Sequence, residues 1–180
     1  TVMAIVKNLV ALQRAGVLED RKVVESICAK LTDREQIRKS RLLPFRFYSA
    51  FKEVNKLSSN YGVRAVSNAL VVALDLSIDN LPKIEGYNAI LIEGSGSMQY
   101  PVSSMSVVTA DEIALILGAI CFKQGVGEVY LFANDCERVE GLSASSTVMD
   151  LVKQLQSIYV GGGTYIDKAF QTISEDARRG

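Results

Sequence analysis

A carboxylate and two hydroxyls stand at alternate positions in the stretch Glu93-Gly94-Ser95-Gly96-Ser97. The glycines between them allow a tight loop, so all three side-chain oxygens can point at one centre. Oxygen-only ligands suit a hard cation such as Mg²⁺ or Mn²⁺, which would keep several of its water ligands. The spacing therefore predicts a divalent-cation site, and the alternative is a Gly/Ser turn that only closes a strand.

The elements around this loop predict half of an open α/β sheet of the doubly wound type. Residues 88–92 are a short apolar run rich in β-forming residues, which predicts a buried strand ending at the loop. Thr109-x-x-Glu112 is a capping-box pattern that opens an apolar helix over residues 113–122. Strands over 128–133 and 137–140 follow, and then helices over 148–158, capped by Ser145 or Ser146, and 165–176. Ligands of such folds bind at the carboxyl ends of strands, where the loop lies.

This loop resembles the metal-ion-dependent adhesion site (MIDAS) of von Willebrand factor A (vWA) domains, whose motif is Asp-x-Ser-x-Ser after the first strand. Glu93 replaces the leading Asp here, and its extra methylene matters because Mg²⁺ tolerates little departure from octahedral geometry. The stretch Gly161-Gly162-Gly163-Thr164 is similar to the family's second loop, where a Thr joins the two Ser. The resemblance implies that Glu93, Ser95, Ser97 and Thr164 bind Mg²⁺ or Mn²⁺. The family's third metal loop has no counterpart, so we expect residues 83–180 to be the N-terminal part of a vWA-like domain.

The first 82 residues carry the apolar spacing of α-helices. Helices are predicted over residues 2–15, 20–31, 33–40, 44–57 and 61–76, with Thr32-x-x-Glu35 as a capping box for the third and Pro44 in the first turn of the fourth. Short helices joined by short turns are typical of a helical repeat array, here HEAT-like.

A longer stretch makes the resemblance more specific. Residues 40–51, Ser-Arg-Leu-Leu-Pro-Phe-Arg-Phe-Tyr-Ser-Ala-Phe, are followed at a distance by the Gly-Ser-Gly-Ser-Met loop. This combination resembles the end of a TROVE module leading into its vWA domain, the architecture of the Ro ribonucleoprotein family. The resemblance implies a non-catalytic protein that binds Y RNA or misfolded small RNA on a ring of helical repeats. It makes residues 1–82 the C-terminal part of the TROVE module, in a fold incomplete at both ends.

Charge is divided unevenly along the chain. Residues 1–86 carry 14 basic and 9 acidic side chains, whereas residues 87–180 carry 6 and 11. Basic residues spaced along helices and interrupted by a turn can follow a phosphate backbone, although a solvated helix face gives the same pattern. We expect four of them to bind RNA, namely Arg38, Lys39, Arg41 and Arg46. The neighbouring aromatics, Phe45, Phe47, Tyr48 and Phe51, are expected to be mostly core.

Composition excludes several classes of function. The 180 residues include no histidine and three scattered cysteines, which excludes Ser-His or Cys-His catalysis by this chain and argues against a zinc framework. Neither glycine-rich loop has the Gly-Lys-[Ser/Thr] of a P-loop, so we expect no enzyme. No apolar run of about 18 residues and no signal pattern occurs, so we expect a cytoplasmic protein with neither a membrane nor a DNA partner. The alternative is a metal-dependent protein-interaction module, for instance a phage structural protein.

Overall fold

The computed structural model describes residues 1–104, 106–158 and 161–179. It divides the chain into two compact units, Thr1–Pro82 and Lys83–Gly180. The first unit is helical, and the second combines helices with a small sheet, so each is described by itself.

The first unit contains the five predicted helices. Their bounds are α1 Val2–Arg14, α2 Arg21–Leu31, α3 Arg34–Ser40, α4 Pro44–Asn55 and α5 Tyr61–Leu76, followed by a short 3-10 helix, Ser77–Asn80. Most starts follow from local chemistry, because a side chain at the N-cap accepts a backbone N–H that the helix leaves unpaired. Asn60, for example, accepts from Val63 N at 2.8 Å, and Pro44 occupies the first position of α4.

The predicted capping box at Thr32 is wrong. Asp33 caps α3 instead, with its carboxylate accepting from Gln36 N at 2.9 Å. The Thr32 hydroxyl is already used, since it donates to Cys28 O at 2.9 Å in the last turn of α2. The predicted N-cap of the helix that begins at Val148 in the second unit is also wrong. Thr147 caps this helix by accepting from Asp150 N, and neither Ser145 nor Ser146 does so.

Apolar side chains of all five helices form the core of the first unit. Helix α5 contributes the most, and its buried residues include Val66, Leu70 and Leu74. The segment Tyr61–Asn80 is long and apolar enough to span a membrane by composition, but 56% of its apolar window is buried inside the protein. A core helix passes the same composition test, so this segment is weak evidence for a membrane span.

The described sheet of the second unit has three strands in the order β1-β2-β3, with bounds β1 Tyr87–Glu93, β2 Val126–Phe132 and β3 Cys136–Val139. Helix α6, Ala110–Gln124, connects β1 to β2, and the two strands are parallel with Glu93 opposite Phe132. Strand β3 is antiparallel to β2 because the connection between them has only three residues. Helices α7, Val148–Ser157, and α8, Ile166–Arg179, complete the unit. This arrangement brings the loops that follow β1 and β2 to one edge of the sheet.

Candidate functional site

The four predicted metal ligands lie together beside the carboxyl end of β1. Glu93 Oε1 accepts hydrogen bonds from the Ser95 hydroxyl at 2.5 Å and from the Thr164 hydroxyl at 2.8 Å. The hydroxyls of Ser95 and Ser97 are 2.8 Å apart. We call Glu93, Ser95, Ser97 and Thr164 the hydroxyl cluster. The sequence therefore selected residues that meet in space, although Thr164 lies 71 positions after Glu93.

Backbone hydrogen bonds hold the two loops of the cluster in place. Gly94 N donates to Phe132 O at 2.9 Å, which continues the pairing of β1 and β2 by one residue. Gly96 N donates to Gly162 O at 3.2 Å and so joins the first loop directly to the second. Ser95 is only 2% exposed, so its hydroxyl is fixed inside the protein.

Asn134, which the sequence analysis missed, organises the second loop. The side-chain Oδ1 of Asn134 accepts from Gly163 N at 2.7 Å, and the backbone N–H of Asn134 donates to Gly161 O at 3.3 Å. Gly162 has a φ of +93°, and a Cβ at this position would lie 2.2 Å from Asn134 Nδ2. Glycine is thus required at position 162 both by the backbone conformation and by the space that Asn134 fills. An Asn directly after a strand, at the same sheet edge as Glu93, was the available signal.

The donor set of the hydroxyl cluster consists of oxygen atoms only. One carboxylate and three hydroxyls suit a hard cation that keeps several waters, as Mg²⁺ commonly does. Among the described residues, no group of three or more His, Cys, Asp or Glu side chains could hold a metal. The chemistry of the cluster fits a divalent cation, but with a single formal negative charge, and both Ser95 and Thr164 now direct hydroxyl protons at Glu93.

The four predicted RNA-binding residues lie around the turn between α3 and α4. We call Arg38, Lys39, Arg41 and Arg46 the basic turn, and all four side chains are exposed. Arg38 forms an ion pair with Glu35 at 3.0 Å, and the hydrogen bond between them lowers the pKa of Glu35 and raises that of Arg38. The other three form no ion pair in the part of the chain that the structure describes, although the charge of Lys39 also helps to lower the pKa of Glu35. Most of the positive charge of the basic turn is therefore not held in ion pairs.

The 3-10 helix at the end of the first unit braces the basic turn. Asn80 Nδ2 donates to Leu42 O at 2.9 Å and to Ile37 O at 3.3 Å, so it spans the turn that carries Arg41. Asp79 accepts from Arg34 Nη1 at 2.5 Å. These contacts keep Arg41 at the C-cap of α3 with a φ of +52°. Neither Asp79 nor Asn80 is among the residues that the sequence analysis singled out.

The start of α4 adds to the electropositive character of the turn. Leu43 makes no side-chain cap bond, and the first turn of α4 contains no acidic residue. Pro44 has no N–H and Arg46 N donates to Leu43 O at 3.0 Å, so this helix start favours anions mainly through the helix dipole. The Arg46 guanidinium lies over the Phe45 ring, 5.3 Å from its centroid, while Phe47 and Tyr48 are buried in the core as expected.

Comparison with known proteins identifies one family. The family model described as TROVE domain matches residues 1–107, which covers the first unit, β1 and the first loop of the hydroxyl cluster. Among solved structures, the chain is similar to the crystal structure of the Deinococcus radiodurans Ro (RSR) protein, with a TM-score of 0.70 and 21% identity. That alignment covers 89% of this chain and 34% of the Deinococcus chain, so it spans about a third of the longer protein and shows a shared fold. A search of curated proteins found no match.

Proposed function

This chain belongs to the TROVE-domain family, and on that premise we propose that it is an RNA-binding, non-catalytic component of a Ro-like ribonucleoprotein. The observation that carries this proposal is the basic turn, where Lys39, Arg41 and Arg46 are exposed and form no ion pair with any described residue. Its partner would be a small structured RNA such as Y RNA or a misfolded RNA. The helical unit would correspond to HEAT-like repeats of the TROVE module, and the α/β unit to a vWA-like domain.

Electrostatics explains why such a turn would recognise a phosphate backbone. Each cation that neutralises a phosphate releases condensed counterions, so binding weakens as salt increases. The brace from Asn80 fixes the backbone that carries Arg41, and therefore less conformational entropy is lost when RNA binds. Contacts of this kind position the RNA and carry little sequence information.

The decisive experiment measures RNA affinity over a salt series. The chain is titrated with a structured RNA that has a single-stranded end and with a blunt duplex of equal length. The triple variant Lys39→Ala, Arg41→Ala, Arg46→Ala should bind RNA more weakly than the unaltered chain. Its plot of log K against log salt should also be less steep, with a slope smaller in magnitude by about 2 to 3. A preference for the RNA with the free end would agree with the Ro-like assignment.

A charge-matched variant provides the control. Lys7, Arg14 and Lys30 are also exposed and lie on α1 and α2, away from the turn in sequence. Their replacement by alanine removes the same formal charge from the same unit. Equal losses of affinity in the two triple variants would place RNA binding elsewhere or make it nonspecific, and unchanged affinity in the basic-turn variant would refute the assignment.

A second candidate function, favoured by the assembly of the hydroxyl cluster, is metal-dependent protein binding. Glu93, Ser95, Ser97 and Thr164 would hold Mg²⁺ or Mn²⁺, and the cation would supply a Lewis-acidic centre for a partner's carboxylate. Mn²⁺ binding can be followed by electron paramagnetic resonance. Glu93→Gln should weaken it at least about tenfold, whereas Glu137→Gln, an exposed change on β3, should not. Absence of Mn²⁺ binding by the unaltered chain would eliminate this candidate without affecting RNA binding.

A further inference from the structure

A cavity of about 190 Å³ opens beside the hydroxyl cluster in the α/β unit. Three of its lining residues, Leu115, Leu131 and Leu155, are buried and form an aliphatic floor. Its volume is below the roughly 300 Å³ at which pockets begin to accept drug-sized ligands. The cavity therefore suits a group about the size of one long side chain.

The polar part of the lining is acidic. Glu93 and Asp111 line the cavity, together with Ser95 and the exposed amides of Gln99 and Gln156, and none of the residues that line it is basic. Two carboxylates above an aliphatic floor disfavour an anion. A bare divalent cation placed over the three leucines would find no oxygen ligand on that side. The carboxylates and the floor match a cation that carries its own apolar stem.

Both carboxylates are oriented by the protein and keep one oxygen available. Asp111 Oδ1 accepts from the Thr109 hydroxyl and from Glu112 N, which lies 2.8 Å away, and Glu93 Oε1 accepts from Ser95 and Thr164. In the described parts of the chain, no protein group donates to Asp111 Oδ2 or to Glu93 Oε2. Asp111 also lies in the first turn of α6.

We propose that this cavity binds a primary ammonium group on a short aliphatic stem, either the end of a partner's lysine side chain or a free diamine. The ammonium donates to the available oxygens of Asp111 and Glu93 and to the amide oxygens at the mouth. The stem lies against the leucine floor. This inference does not depend on RNA binding by the basic turn.

The experiment is a calorimetric titration of the full chain with n-alkylammonium ions, from methyl to butyl, in the presence of a chelator. Affinity should increase about fourfold for each added methylene that is buried, and neutral n-butanol should not bind. Asp111→Asn should reduce n-butylammonium affinity at least about tenfold, because a charged hydrogen-bond partner is lost while an oxygen that can accept from Glu112 N is kept. Asp167→Asn, an exposed change on α8 that removes the same charge, should have less than about a twofold effect.

Two further ligands distinguish the sources of the ammonium group. If a partner's lysine is the ligand, Nα-acetyl-lysine methylamide should bind with the same affinity as n-butylammonium. If a free diamine is the ligand, 1,4-diaminobutane should bind more tightly than n-butylammonium. Affinity that does not change along the alkyl series would overturn the inference. Equal effects of Asp111→Asn and Asp167→Asn would overturn it as well.

Discussion

Gly162→Ala should disrupt the second loop of the hydroxyl cluster much more than a glycine replacement elsewhere in the same unit. The added Cβ would meet Asn134 Nδ2 at 2.2 Å, and alanine would have to adopt a φ of +93°. Gly141 provides a matched comparison, because it has a φ of +75° and nothing within 4 Å of an added Cβ. Gly141→Ala therefore carries the conformational cost alone.

The expected magnitude follows from these two contributions. A left-handed backbone costs a non-glycine residue about 1–2 kcal/mol, and both variants incur this cost. Only Gly162→Ala also displaces Asn134, which loses its hydrogen bond to Gly163 N, at about 0.5–1.5 kcal/mol, and strains the loop by at least about 1 kcal/mol. The variants should differ by about 1.5–3 kcal/mol in the local opening free energy.

Amide hydrogen exchange measures this difference at named positions. Gly163 N donates to Asn134, and Tyr165 N donates to Ala133 O at 2.9 Å, so both amides report on the second loop. Their exchange should be about 10- to 150-fold faster in Gly162→Ala than in Gly141→Ala, since about 1.4 kcal/mol corresponds to a factor of ten. Equal exchange rates in the two variants would show that Asn134 does not fix the loop.

Two other changes test the brace and a buried phenol. Asn80→Ala should lower the free energy of unfolding by about 1–3 kcal/mol, because two carbonyls lose a hydrogen-bond donor. Urea denaturation followed by circular dichroism measures this change. The control Asn68→Ala, on the exposed face of α5, should change the free energy of unfolding by less than about 0.5 kcal/mol. Similar values for both would contradict the brace. Burial, with hydrogen bonds to Glu128 and Asp176, raises the pKa of Tyr130 in the folded state. The contribution of Tyr130 to the free energy of unfolding is constant below the unfolded-state pKa of about 10 and decreases above it, by up to about 1.4 kcal/mol per pH unit. At alkaline pH the free energy of unfolding of Tyr130→Phe should therefore decrease less steeply with pH than that of the unaltered chain. Parallel curves would contradict this assignment.

Local patterns predicted the elements, because helix starts and apolar spacing depend on neighbours in the sequence. Pro44 lies in the first turn of α4 as predicted, α5 has the predicted bounds, and the apolar run of β1 ends at Glu93 as expected. Errors arose where two adjacent side chains compete for one role, as Thr32 and Asp33 do at the start of α3. Spacing alone cannot decide such a competition, since it depends on which acceptor the preceding helix already uses.

The residues that position the candidate sites were not predictable in the same way. Asn80 acts on carbonyls 38 and 43 residues earlier in the chain, and Asn134 acts on an amide 29 residues later. No periodic pattern encodes contacts over such separations. Spacing alone indicated Glu93, Ser95 and Ser97, whereas Thr164 was added only because its loop resembles that of a known family.

Hydrogen bonds to Glu93 allow the hydroxyl cluster to form without a cation. Glu93 Oε1 accepts from Ser95 and from Thr164, so one side chain of β1 joins the first loop to the second without a cation. A cation that binds there must turn both hydroxyl protons away from Glu93, and the loss of two charge-assisted hydrogen bonds, about 1.5–3 kcal/mol each, opposes its binding. The loops should therefore keep their arrangement when a chelator is added, as long as Glu93 is present. In Glu93→Gln the amide oxygen can accept the same bonds more weakly, so the exchange of Gly96 and Gly163 amides should increase only modestly, whereas Glu93→Ala should release both loops.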